Sequence, residues 1–133
     1  LAEIMVDTNV LLDLLTVDPT WEPRSARAIA AAADVATLVI NPIIYAEMSA
    51  GVASIEILDE FLGTDYRRDP IPWEAAYLAG KAFVRYRRRG GRKVQPLSDF
   101  FIGAHAAVRG MHLLTRDAAR FGSYFPTVKV IEP

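Results

Sequence analysis

Four acidic residues, Asp7, Glu47, Asp99 and Asp117, stand where a purely structural use of a carboxylate is awkward. Asp7 directly follows the apolar run Ile4-Met5-Val6, at the carboxyl end of a first strand candidate. Glu47 belongs to a helix opened by Asn41-Pro42, with Ile43, Ile44, Ala50 and Gly51 one turn to either side. An acid within an apolar helical stripe faces inward, where it is costly without a partner. Asp99 has Ile102 and Gly103 one turn on, and Asp117 comes just past His112-Leu113-Leu114-Thr115, at another strand end. Ordinary explanations compete for three of them. Asp99 suits a helix dipole, Asp117 suits the cap of a helix beginning near Ala118, and Asp7 suits a turn. Converging carboxylates repel one another and take up protons unless cations compensate them. Hard oxygen donors, with no cysteine and no histidine pair, select Mg²⁺ or Mn²⁺ over zinc. Such ions activate water and stabilise charge on a phosphate, so phosphodiester hydrolysis is the reaction class that follows.

The elements that must position these acids alternate along the chain. Strand candidates are Ile4 to Val6, Thr37 to Ile40, a weaker one from Tyr66 to Ile71, His112 to Leu114, and Val128 to Val130. Between them lie helical stretches. Asn9 to Leu15 is short, Arg24 to Ala33 is alanine-rich, and Asn41-Pro42 starts a helix that reaches about Gly51. Ser54 to Leu62 is amphipathic and ends at Gly63. A long helix to Arg89 places Trp73, Ala76, Tyr77, Phe83 and Val84 on one face. Ser98 is expected to cap the next helix, with Leu97 and Ile102 as a hydrophobic staple. Connections of this length imply an α/β fold: a mostly parallel sheet with helices on both faces. Ligands of such sheets bind beyond the carboxyl ends of the strands, which is where three of the acids fall.

The bulk properties bound the answer. A chain of 133 residues is one domain's worth, read here as a single domain over 1–133. The net charge of -1 excludes a protein held on nucleic acid by overall charge, so such contacts need a local basic patch or a metal ion. Cysteine is absent, and no apolar run approaches the ~20 residues that span a bilayer. Leu1 rather than Met begins the chain, and Asp7 arrives too early for a signal peptide. The expectation is a soluble cytoplasmic protein without a membrane partner.

With these residues in view, Asp7-Thr8-Asn9, Tyr45-Ala46-Glu47, Ser98-Asp99-Phe100-Phe101-Ile102 and Thr115-Arg116-Asp117 resemble the successive motifs of PIN-domain nucleases. A stand-alone chain of this size is similar to the VapC toxins of toxin–antitoxin pairs. The resemblance implies a PIN-like, Rossmannoid sheet and Mg²⁺- or Mn²⁺-dependent endoribonuclease activity on RNA. It further implies a homodimer and a small VapB-like antitoxin. By the same carry-over, Asp7, Glu47, Asp99 and Asp117 bind metal and position water, while Thr8, Asn9, Ser98 and Thr115 hold those carboxylates. His105 lies well round the helix from Asp99, and it and His112 are read as packing or surface histidines.

Arg85, Arg87, Arg88, Arg89, Arg92 and Lys93 crowd the end of the long helix. Part of that charge complements the helix dipole, and the remainder suits RNA phosphate or an acidic antitoxin segment. Arg116 is a separate phosphate-contact candidate. Trp21, Trp73 and Tyr66 are read as core or dimer contacts. A haloacid-dehalogenase-type phosphotransferase also starts with an aspartate after its first strand, but it wants a second one where this chain has Asn9. The remaining alternatives are an RNA-processing PIN nuclease without antitoxin and an inactive PIN-fold binding module.

Overall fold

The computed structural model describes residues 2–91 and 96–133. Arg92 and Lys93 lie outside the described residues, so the basic cluster is described only through Arg89. The elements are β1 (Ala2–Val6), α1 (Thr8–Leu15), α2 (Glu22–Val35), β2 (Ala36–Ile40), α3 (Pro42–Ser49), α4 (Ile55–Leu62), β3 (Tyr66–Arg68), α5 (Trp73–Arg88), α6 (Pro96–Arg109), β4 (His112–Leu114), α7 (Ala118–Tyr124) and β5 (Val130–Ile131). No helix among the described residues is long and apolar enough to cross a membrane.

All strand pairs are parallel, in the order β3-β2-β1-β4-β5. The chain therefore builds outward from β1 to β3 and then crosses to the other side of β1. Right-handed crossovers put α1 to α4 on one face and α5 to α7 on the other. The strands read as continuous apolar runs because both faces are covered. Met5, Val6, Val39, Ile40, Leu113 and Leu114 are all essentially buried. The order reverses at β1, so the crevice beyond its carboxyl end, between β1 and β4, is the topological switch point where such sheets bind ligands.

Three local expectations are corrected. The buried face of α5 is Ala75, Ala79 and Ala82, whereas Trp73 is 89% and Tyr77 65% exposed. Small side chains at i, i+4 and i+7 let α5 approach α6 closely, where large aromatics would not fit. Trp73 is thus not a core residue. The second correction concerns α6, which begins at Pro96, so Ser98 lies inside its first turn and is not its cap. Leu97 is exposed and Ile102 buried, so they form no staple. The closing strand is Val130–Ile131 rather than Val128 to Val130, because Val128 N–H is taken by Phe125 in a turn.

A buried relay fixes where α3 starts. Asn41 Oδ1 accepts from Ile44 N–H at 2.9 Å, which caps the helix and leaves the Asn41 amide NH₂ to donate. That NH₂ faces His105 Nδ1 at 3.1 Å, so Nδ1 is the acceptor and the ring proton sits on Nε2. Nε2–H then donates to Asp69 Oδ2 at 2.8 Å. His105 is fully buried, in agreement with its packing assignment, and joins α6 to the ends of β2 and β3. Burial holds its imidazole below the ordinary value, against the opposing pull of Asp69.

Replacing His105 by Gln should cost ~1–3 kcal/mol at pH 8, because it disturbs bonds inside the core. The folded imidazole resists protonation, so as the pH falls through about 6.5 the unfolded chain takes up its proton before the folded one does, and His105 contributes less stability. Urea denaturation of both proteins should therefore show their stability difference shrinking from pH 8 to pH 5.

Candidate active site

Asp7 is placed by β1 and buried at the switch point, 4% exposed. It is the N-terminal boundary of α1. Its Oδ1 accepts from Thr8 N–H at 2.8 Å and its Oδ2 from the Thr115 hydroxyl at 2.7 Å, which ties the end of β1 to the end of β4. Thr8 also donates its hydroxyl to Glu47 Oε1 at 2.6 Å, so one residue orients two acids. Glu47 is half-buried on α3, beside the fully buried Ile44 and Met48. Asp99, in the first turn of α6, completes one cavity of about 410 Å³ lined by Asp7, Thr8, Asn9, Leu12, Glu47, Ala50 and Asp99.

Asp117 occupies the N-cap position of α7 but makes no capping hydrogen bond. The helix-cap alternative therefore leaves its side chain unexplained. Its carboxylate instead approaches Arg120 Nε at 3.4 Å, and Arg120 Nη1 reaches Asp99 Oδ2 at 3.0 Å. Arg120 was not singled out from the sequence. Its position three residues after Asp117, on the same helical face, was the available signal.

Thr115 is the hub of the second set of contacts. Its Oγ1 accepts from Asp117 N–H at 3.0 Å and from Asn9 Nδ2 at 3.5 Å, while Asn9 Oδ1 accepts from Arg116 N–H at 3.3 Å. The structure thus brings Thr8, Asn9 and Thr115 to the acids. Ser98 makes no hydrogen bond to them among the described residues. Arg116 points elsewhere, with Nη2 3.1 Å from the buried Asp13 and its guanidinium over the Trp21 ring. Asp13 also accepts from the Ser25 hydroxyl at 2.7 Å. Asp13 was missed as well, although with Asn9 it makes a polar i, i+4 pair on an otherwise apolar helix. Arg85, Arg87, Arg88 and Arg89 are exposed at the end of α5. Arg85 and Arg89 lie over Tyr124 of α7, the helix that carries Arg120.

Burial is the main cause that raises the Asp7 carboxyl from 3.8 to about 6, with the charges of Asp99 and Glu47 adding and the bonds from Thr115 and Thr8 opposing. Burial likewise raises Asp99 to about 6, opposed by Arg120 and assisted by Glu47 and Asp117. A divalent cation would relieve both, and the donor set is all hard oxygen. As the side chains stand, no three acids among the described residues are gathered closely enough to enclose an ion. A second cavity, of about 330 Å³, includes Asn41, Tyr45, Arg68 and Asp69 in its lining. Each of those polar groups already has a partner within the protein, so the chemistry belongs to the first cavity.

A family model described as PIN domain matches residues 4–123. Comparison with curated protein sequences finds no match. The chain is similar in fold to the crystal structure of VapBC2 from Rickettsia felis bound to a DNA fragment from their promoter. That match has a TM-score of 0.75 and 18% identity, and covers 98% of each chain. DNA-bound VapBC from Salmonella typhimurium gives 0.71 and 17%, covering 99% of this chain and 98% of that one. FitAcB from Neisseria gonorrhoeae gives 0.66 and 19%, covering 96% of each.

The raised carboxyls carry a stability consequence. A folded value of about 6 against 3.8 penalises the ionised native state by up to about 3 kcal/mol above pH 6 and not below 3.8. Asp7→Asn should therefore raise the thermal midpoint of chelator-treated protein at pH 8. The advantage should fade as the pH falls from 6 towards 4.

Proposed function

Because the chain belongs to the PIN-domain family, we propose that it is a Mg²⁺- or Mn²⁺-dependent endoribonuclease, the VapC-type toxin of a toxin–antitoxin pair. The observation that carries this reading is the cavity at the switch point, where three acids from three separate elements share one wall. Asp7, Glu47 and Asp99 would hold the ion, with Asp117 joined to them through Arg120. A bound ion of this kind supplies an activated water and stabilises charge on the phosphate.

The chain's own residues supply the geometry. The Thr8 N–H and the Thr115 hydroxyl each occupy one oxygen of Asp7, fixing its plane while leaving acceptor capacity on both oxygens. The Thr8 hydroxyl does the same for Glu47, so a single residue links the placement of Asp7 and Glu47. The small Ala50 beside them leaves the cavity open to a backbone phosphate. The exposed Arg85, Arg87, Arg88 and Arg89 are proposed to meet RNA phosphates or an acidic antitoxin segment. The toxin assignment draws support from solved relatives whose names are those of VapBC and FitAB complexes, and it includes a VapB-like antitoxin, a homodimer and a cytoplasmic location.

Purified protein incubated with RNA should cleave it with Mg²⁺ or Mn²⁺ and stop when a chelator is added. Asp7→Asn and Glu47→Gln should each lose more than roughly 100-fold in rate, and Thr115→Val about 10–100-fold. Cleavage that survives both chelator and Asp7→Asn would sink the mechanism. Expression of the gene alone tests the toxin assignment, since harmless expression with no small partner gene beside it would point to RNA processing instead.

A further inference from the structure

Among the described residues, Arg120 is the cation bonded to the acid cluster. Nη1 lies 3.0 Å from Asp99 Oδ2 and Nε lies 3.4 Å from Asp117 Oδ2. The two carboxylates thus seat different donors of one planar fork, which a single ammonium group would not reproduce. Asp99 belongs to the wall of the cavity, but Asp117 does not. The Asp117 side chain is 44% exposed, against 28% for Asp99 and 25% for Arg120. Its carboxylate makes no cap bond to α7, and its contact is with the guanidinium. The bonded route from Asp117 into the site therefore runs through Arg120.

We propose that Asp117 serves the site through Arg120: Asp117 anchors the guanidinium, and the guanidinium fixes Asp99 and offsets its charge. In this arrangement Arg120 and Asp117 are positioning residues, and Asp117 is not an independent ligand of the ion. The inference rests on the metal-site reading above and refines it. Neutralising Asp117 frees Arg120 to settle wholly on Asp99, where it competes with a divalent cation for the same oxygens. Once Arg120 is removed, Asp117 keeps only the through-space effect of its charge on Asp99 and no bonded link to the site.

The test is a double-mutant cycle read as Mn²⁺ affinity, measured by calorimetry on the metal-free full chain, with circular dichroism confirming the fold of each variant. Asp117→Asn should weaken Mn²⁺ binding about fivefold when Arg120 is present, and by less than about twofold in the Arg120→Gln background. Asp7→Asn, which alters the cavity wall itself, should weaken binding equally in both backgrounds. If Arg120→Gln does not fold, Arg120→Lys provides the background, because lysine keeps the charge but cannot span both carboxylates. A loss of about twofold or more on adding Asp117→Asn to Arg120→Gln would mark Asp117 as an independent ligand and overturn the proposal. Unchanged affinity in Asp117→Asn alone would overturn it too. Wild-type protein that binds no Mn²⁺ would remove the metal-site reading itself, and this inference with it, a result distinct from the other two.

Discussion

Asp7 lies buried beyond the central strand, within electrostatic reach of Asp99 and Glu47, and its ionised form is opposed by burial before it is opposed by either neighbour. The parallel order β3-β2-β1-β4-β5 gives it no alternative, because both flanking strands and both helical layers enclose the end of β1. A carboxylate there destabilises the bare fold and creates an affinity for cations. The same electrostatic strain that lowers stability is one that a hard divalent ion would relieve. Much of the surrounding polar structure can be understood as holding these acids still while leaving that affinity in place.

The holding is done mainly by neutral groups close to the cavity and by charged groups further out. Thr8 and Thr115 donate to Asp7 and Glu47 without cancelling their charge. Arg120 touches Asp99 and Asp117, on the α6–α7 side, and offsets part of the repulsion. Arg116, next to Asp117 in sequence, is turned the other way and matched by buried Asp13, which secures the loop after β4 to α1 and α2. Removing Arg116 would leave the buried Asp13 without its cation. Beneath α3, the Asn41–His105–Asp69 relay fixes the start of the helix on which Glu47 sits.

Local signals of high information content are legible in the order of residues alone. Asn41-Pro42 and Ser54 mark helix starts because a side-chain oxygen there accepts an otherwise orphaned backbone N–H, a purely local arrangement. The strands were legible as apolar runs because both faces of a parallel sheet are buried. The start of α6 was misplaced, since Ser98 has the residue type of a cap and only the folded chain shows that the helix begins at Pro96. The face of α5 was misassigned for a related reason. Hydrophobic periodicity measures which residues prefer burial, whereas the spacing of α5 and α6 decides which residues fit, and alanines fit.

For the acid cluster, the sequence by itself determined the candidates. Asp7, Glu47, Asp99 and Asp117 are out of place in local terms, and being out of place is a property of neighbours along the chain. Their arrangement was decided only by the tertiary structure. Strand order sets Asp7, Glu47 and Asp99 on one cavity and leaves Asp117 to reach it across Arg120. Partners such as Thr115 with Asp7, 108 positions apart, or Arg120 with Asp99, 21 apart, leave no trace in local pattern. They exist because crossover connections return distant strand ends and helix starts to one edge of the sheet, and a sequence read in order has no measure of that distance.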